Sequence, residues 1–197
     1  MEISNLIKGQ ISQTLMKILF ERAGYRVVRL GVEELFQEIV HLSPSQYGKL
    51  GLPKGLRYLP DLLISDLKME KAFLVEVKYR REITQASLHS LREKLLEQCE
   101  YWPEMHVILL NGSPRRFDSN FHQDYIRIIG PGDYNLLLPS DFQIERSRPE
   151  NIGHQIWEKL PTLNNFFDGF HWKNQNACTE EADFIAASLR ELASLGK

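Results

Sequence analysis

The stretch Leu59 to Arg81, LPDLLISDLKMEKAFLVEVKYRR, limits what this chain can fold into more than any other. Two apolar runs, Leu62-Leu63-Ile64 and Ala72 to Val77, flank a polar turn from Ser65 to Lys71, the pattern of a β-hairpin with two buried strands. Three charges interrupt it: Asp61 opens the first strand, and Glu76 and Lys78 stand near the end of the second. Side chains alternate along a strand, so Glu76 and Lys78 share one face while Val75 and Val77 take the other. In an antiparallel hairpin the start of one strand lies beside the end of the next, which brings Asp61 toward Glu76. Two carboxylates and an ammonium then meet at the edge of an apolar sheet, where uncompensated charge is costly. A hard divalent cation with oxygen ligands, next to phosphate, suits such a group. The same letters also fit a solvated same-face ion pair of Glu76 with Lys78.

The chain before the hairpin adds to this. Residues 4 to 23 form a helix on their periodicity, with Ser4 or Asn5 as the cap and Gly24 as a left-handed stop. Ile7, Ile11, Leu15, Ile18 and Leu19 make one apolar stripe. Leu6, Met16, Phe20 and Ala23 make a second arc, and Gln13 falls inside it, in line with Leu6 and Phe20. A helix with two apolar arcs is packed on both sides, so Gln13 is expected to point into the fold; a partly exposed Gln near the helix start is the plainer alternative. Arg26 to Leu30 follows as a short alternating strand.

Pro60-Asp61 followed by Glu76-Val77-Lys78, with fourteen residues between Asp61 and Glu76, resembles the PD-(D/E)xK nuclease superfamily. The opening Lys8-Gly9-Gln10-Ile11-Ser12-Gln13, then Gly24-Tyr25-Arg26-Val27-Val28-Arg29, is similar to the archaeal Holliday-junction resolvase branch of that superfamily. That branch carries a glutamate four residues after the glycine; here Gln13 holds the position, a departure at the first metal-site ligand. The resemblance covers residues 6 to 110. It implies an α/β, restriction-endonuclease-like αβββαβ core with a mixed central sheet flanked by helices, and metal-dependent hydrolysis of DNA phosphodiester bonds. In its terms Asp61 and Glu76 bind Mg²⁺, for which Mn²⁺ can substitute, with help from the Val77 carbonyl. Lys78 orients or activates the attacking water, and Gln13 completes the catalytic set. A homodimer is compatible with it, because resolvase-like nucleases usually work on two-fold substrates. A nuclease-fold protein with weakened catalysis that binds nucleic acid or a protein partner is the alternative, favoured by Gln13.

Residues 31 to 58 form a long link. Val32 to Val40 suggests a short helix, and His41 to Arg57, rich in Ser, Pro, Gly and Lys, suggests a loop. Lys49, Lys54 and Arg57 stand just before Asp61 with Tyr47 and Tyr58 interleaved, a composition suited to phosphate contacts and base stacking or to an ordinary solvated loop. Lys8 and Arg80 join them as candidate nucleic-acid contacts. Ser87 to Tyr101 has helical spacing at Leu88, Leu91, Leu95 and Cys99, and Met105 to Leu110 suits a strand covered on both faces. Gln98 to Tyr101 is faintly like a glutamine-tyrosine motif of some related nucleases, one residue short in spacing. Tyr125 to Ile129 suggests another strand, Tyr134 to Leu138 an edge strand, and Asn151 to Leu160 and Thr179 to Leu195 helices. Phe166, Phe167, Phe170, His171 and Trp172 suggest a lid over the core or a subunit contact. The expected division is a core over residues 1 to 140 and a C-terminal helical extension over 141 to 197, packed on it or forming a dimer surface.

Composition excludes several classes. With 197 residues, 43% hydrophobic and 25% charged, the chain is an ordinary globular one. Cys99 and Cys178 have no metal spacing and suggest no disulfide framework, and no apolar run approaches membrane length, so a cytoplasmic protein with no membrane partner is expected. A net charge of -2 and a pI near 6.3 confine any basic surface to a local patch. There is no Gly-rich phosphate loop, H-E-x-x-H, C-x-x-C or G-x-S-x-G.

Overall fold

A computed structural model describes residues 3–36, 39, 41–112, 125–139, 148–170 and 187–188. The element order is α1 (Ile3–Arg22), β1 (Arg26–Arg29), α2 (Val32–Leu35), α3 (Pro44–Lys49), α4 (Lys54–Arg57), β2 (Leu62–Ser65), β3 (Ala72–Arg80), α5 (Gln85–Cys99), β4 (His106–Asn111), β5 (Ile126–Ile129) and, after a 3-10 turn at Asp133–Leu137, α6 (Pro149–Lys159). The five strands form one mixed sheet in chain order, antiparallel except for the β3–β4 pair. That parallel pair needs a crossover, which α5 supplies.

Both faces of the sheet are covered, which is why all six residues of β4 are buried. Alternation sorts them. Ile108 and Leu110 pack with Leu62, Ile64, Val75 and Val77 against Leu15, Met16, Leu19 and Phe20 of α1. Val107 and Leu109 pack against Leu88, Leu91 and Leu95 of α5 and Ile152, Ile156 and Trp157 of α6. Phe167 and Phe170 enter the α1 side, where both rings meet Phe20 edge-on. The segment 161–170 thus supplies core side chains, and Ile128 N–H donates to the Pro161 carbonyl at 3.0 Å. His171 and Trp172, and all of Thr179 to Leu195 but 187–188, lie outside the described residues.

Several local expectations change. The first helix reaches back to Ile3, so Ser4 and Asn5 lie within it and do not cap it. Gly24 does end it at φ +86°, with Tyr25 N–H closing on the Phe20 carbonyl at 3.0 Å. Two-sided packing holds only for its C-terminal half: Ile7 and Ile11 are exposed. Residues 41–57 are largely helical, in α3 and α4. The reason was legible: Ser43 caps α3 in a box with Gln46, and Pro44 occupies the first turn. Tyr134 to Leu138 is no edge strand; Gly132 at φ +80° turns the chain into a 3-10 helix, and Tyr134 Oη donates to the Met105 carbonyl at 3.0 Å. The helix expected from Asn151 begins two residues earlier, at Pro149. Gly153 lets it approach, because a Cβ there would collide with the Ile83 carbonyl just before the Thr84 cap of α5.

Candidate functional site

The site forms where β2 begins and β3 continues past it. Pairing of β2 with β3 stops at Leu62 opposite Val75, so β3 runs on from Glu76 to Arg80 without that neighbour. Asp61 fills the gap: its Oδ2 accepts from the Val77 backbone N–H at 2.7 Å, taking the place of a strand carbonyl. The N–H and C=O of one strand residue face the same edge, so the Val77 carbonyl looks into the gap that Asp61 occupies. Asp61 is itself fixed in the sheet, its carbonyl accepting from Leu30 N–H at 2.8 Å.

One helix reaches the site from each side of the sheet. From α1, Gln13 Nε2 donates to Asp61 Oδ1 at 2.6 Å, and Gln13 Oε1 accepts from Arg29 Nη2 at 2.9 Å. Arg29 Nε also pairs with Glu34 at 3.0 Å. From α5, Gln98 Nε2 donates to Glu76 Oε2 at 2.8 Å and to the Tyr58 carbonyl at 3.1 Å. Glu76 is only 4% exposed, and its other oxygen pairs with Lys78. A solvated pair is thereby ruled out: Glu76 is a buried carboxylate with two donors. Burial pushes the Lys78 ammonium down, but the Glu76 and Asp61 carboxylates outweigh it and hold its pKa above the ordinary lysine value. Asp61, Glu76 and Lys78 therefore share one electrostatic neighbourhood.

The expected nucleic-acid contacts divide. Lys49, Lys54 and Arg57 are exposed on α3 and α4, and the Arg57 guanidinium lies over the Tyr47 ring at 5.9 Å. Tyr58 stacks on Tyr101. Lys8 is buried at 8% exposure. Arg80 lies on the Glu76–Lys78 face by alternation, half-buried, and burial lowers its pKa.

Gln98 is the site residue that sequence reasoning undervalued. Leu88, Leu91 and Leu95 continue at helical spacing to position 98, so a glutamine there was a polar group on a buried stripe. Arg29 closes the resolvase-like Gly24 to Arg29 motif, whereas Glu34 gave no comparable signal.

Two carboxylates and a backbone carbonyl are hard oxygen donors of the kind Mg²⁺ takes, with water and substrate oxygens completing its shell. A carboxylate oxygen can accept more than one partner, and two carboxylates beside a carbonyl make a donor set that fits the ion. Among the described residues no group of three or more His, Cys, Asp or Glu side chains gathers at one point. Among them, too, no helix is long and apolar enough to cross a membrane. Comparison with protein-family models, curated proteins and solved structures finds no match to this chain.

Proposed function

We propose that this protein is a metal-dependent nuclease that hydrolyses DNA phosphodiester bonds on a restriction-endonuclease-like core of the PD-(D/E)xK type. The observation that carries the reading is the arrangement where β2 stops and β3 runs on: Asp61 on the Val77 N–H, and a buried Glu76 paired with Lys78. The order helix, strand, hairpin, helix, strand and the mixed sheet support it.

In this reading Asp61, Glu76 and the Val77 carbonyl hold Mg²⁺, which when bound polarises the phosphoryl oxygen and acidifies its water. The chain's own groups do the rest. Lys78 has a raised pKa, so at neutral pH it is an ammonium and does not take the proton from the attacking water. It steadies negative charge on the phosphoryl oxygens as the P–O bond breaks. Gln98 keeps Glu76 turned toward Lys78, and Arg29 and Gln13 together keep Asp61 in place. Action in the cytoplasm, and as a homodimer on two-fold DNA, belongs to the same proposal.

A second reading is favoured by Gln13. Its amide N–H binds Asp61 where the resembled branch has a carboxylate, which leaves the site less anionic. A nuclease-fold protein with weakened catalysis that still binds DNA fits that fact. A crystal soaked in Mn²⁺ tests the first reading. Anomalous density between the Asp61 and Glu76 carboxylates and the Val77 carbonyl is expected; its absence at saturating Mn²⁺ favours the second.

A further inference from the structure

The α3–α4 segment is fastened to the end of α5 by a set of contacts, one of which reaches Glu76. The Tyr58 and Tyr101 rings stack at 5.4 Å between centroids and 21° between planes. Trp102 Nε1 donates to the Gly55 carbonyl at 3.1 Å, and Tyr58 Oη donates to Glu97. One nitrogen, Gln98 Nε2, bridges the Tyr58 carbonyl and Glu76 Oε2. The aromatic pair is therefore two hydrogen bonds from the candidate catalytic carboxylate and is held rigidly to it. Tyr101 is the more exposed of the two, at 36%.

Charge on the two sides of this pair differs. The α3–α4 side carries Lys49, Lys54 and Arg57, all exposed. The α5 side carries Glu93, Glu97 and Glu100, also exposed, with Lys94 among them and Glu93 paired with Arg92 at 3.0 Å. A nucleic-acid backbone therefore runs more favourably along the first side, which carries cations alone, with the tyrosines beside it. A paired base cannot offer its face to a side chain, whereas an unstacked base can. The net charge of -2 also leaves little to drive phosphate-dominated duplex binding. We infer that Tyr58 and Tyr101 form a stacking platform for an unpaired base, and that the substrate is engaged as single-stranded DNA or as a frayed strand end. The inference rests on the proposed nucleic-acid site but not on catalysis there.

Binding without metal tests it, so that cleavage plays no part. Fluorescence anisotropy is measured in EDTA with labelled oligothymidylate and with a blunt duplex of equal length. The full chain is expected to bind the single strand more tightly than the duplex. Tyr101→Ala is expected to weaken single-strand binding about tenfold, the loss of one base–aromatic stack, with little change for the duplex. Tyr101→Phe, which keeps the ring, is expected to bind as wild type. Tighter binding of the duplex, equal affinity of wild type and Tyr101→Ala for the single strand, or no binding of either probe overturns the inference. Stacking-dependent binding by a chain that never cleaves DNA leaves it standing while the nuclease reading falls.

Discussion

Gln13 Nε2 donates to Asp61 Oδ1 at 2.6 Å, across the interface between the first helix and the start of the hairpin. The direction of this bond is fixed by chemistry. A carboxylate can only accept and a guanidinium can only donate, and Gln13 sits between Asp61 and Arg29. Its oxygen therefore turns to Arg29 and its nitrogen to Asp61. The oxygen that could otherwise orient a water is thus engaged by Arg29.

Gln13→Glu replaces a donor with a second carboxylate against Asp61. Without metal this variant is expected to lose on the order of 2 kcal/mol of stability, the worth of a hydrogen bond to a charged group. Mn²⁺ is expected to restore the loss and to bind more tightly than in wild type, because the cation replaces the missing N–H and gains an anionic ligand. Calorimetric Mn²⁺ titration with paired melting curves measures both. Equal Mn²⁺ affinity in the two proteins counts against a metal at Asp61.

Lys78→Met leaves Glu76 buried with Gln98 as its remaining donor. Breaking such a pair by removing one member costs about 3 kcal/mol, the lower end of the range for buried pairs because Lys78 retains some contact with solvent. Adding Glu76→Gln removes the stranded charge, so the double variant is expected to regain most of the loss. Urea unfolding of the wild type, both singles and the double gives the coupling. Additive losses would show that the two side chains do not interact in solution.

How far this was legible differs from residue to residue. The hairpin was readable because Asp61, Glu76 and Lys78 interrupt apolar runs with a period of two, and the register places Asp61 beside Glu76 as that pattern requires. Gln13 was readable as inward because it lies within an apolar arc of α1, and it does bond into the fold. The segment 41–57 was misread because its turn-forming composition outweighed one local signal, the Ser43–Gln46 cap. Exposure of Ile7 and Ile11 was not readable: periodicity gives the side of a helix, and only the extent of the sheet decides how much of that side is covered. Gln98 itself was legible as a polar group on the buried stripe of α5, but its partners were not. Its partners, Tyr58 and Glu76, are 40 and 22 residues away and meet it only through the crossover of α5.

His106 gives a pH dependence away from the site. Its ring lies edge-on to Phe73 at 5.5 Å and to Phe166 at 5.3 Å. Burial lowers its pKa, with a small opposing effect of Glu104. The folded state thus binds fewer protons at this histidine than the unfolded state does. Its contribution to stability is present above the unfolded value of about 6.5 and is lost as pH falls below it. Melting temperatures across pH 5 to 8 are expected to fall on the acid side, and His106→Leu is expected to flatten that fall. An unchanged acid slope in the variant would place the titration elsewhere.

The most direct measurement is cleavage of plasmid, branched and single-stranded DNA by the full chain with and without Mg²⁺, set beside Asp61→Asn. Wild type is expected to cut only with Mg²⁺, and Asp61→Asn, which keeps the size of the side chain but removes its charge, is expected to cut at least about a hundredfold more slowly. Equal cleavage by the two proteins, or none by wild type on any of the three substrates, would contradict a catalytic metal site at Asp61 and Glu76.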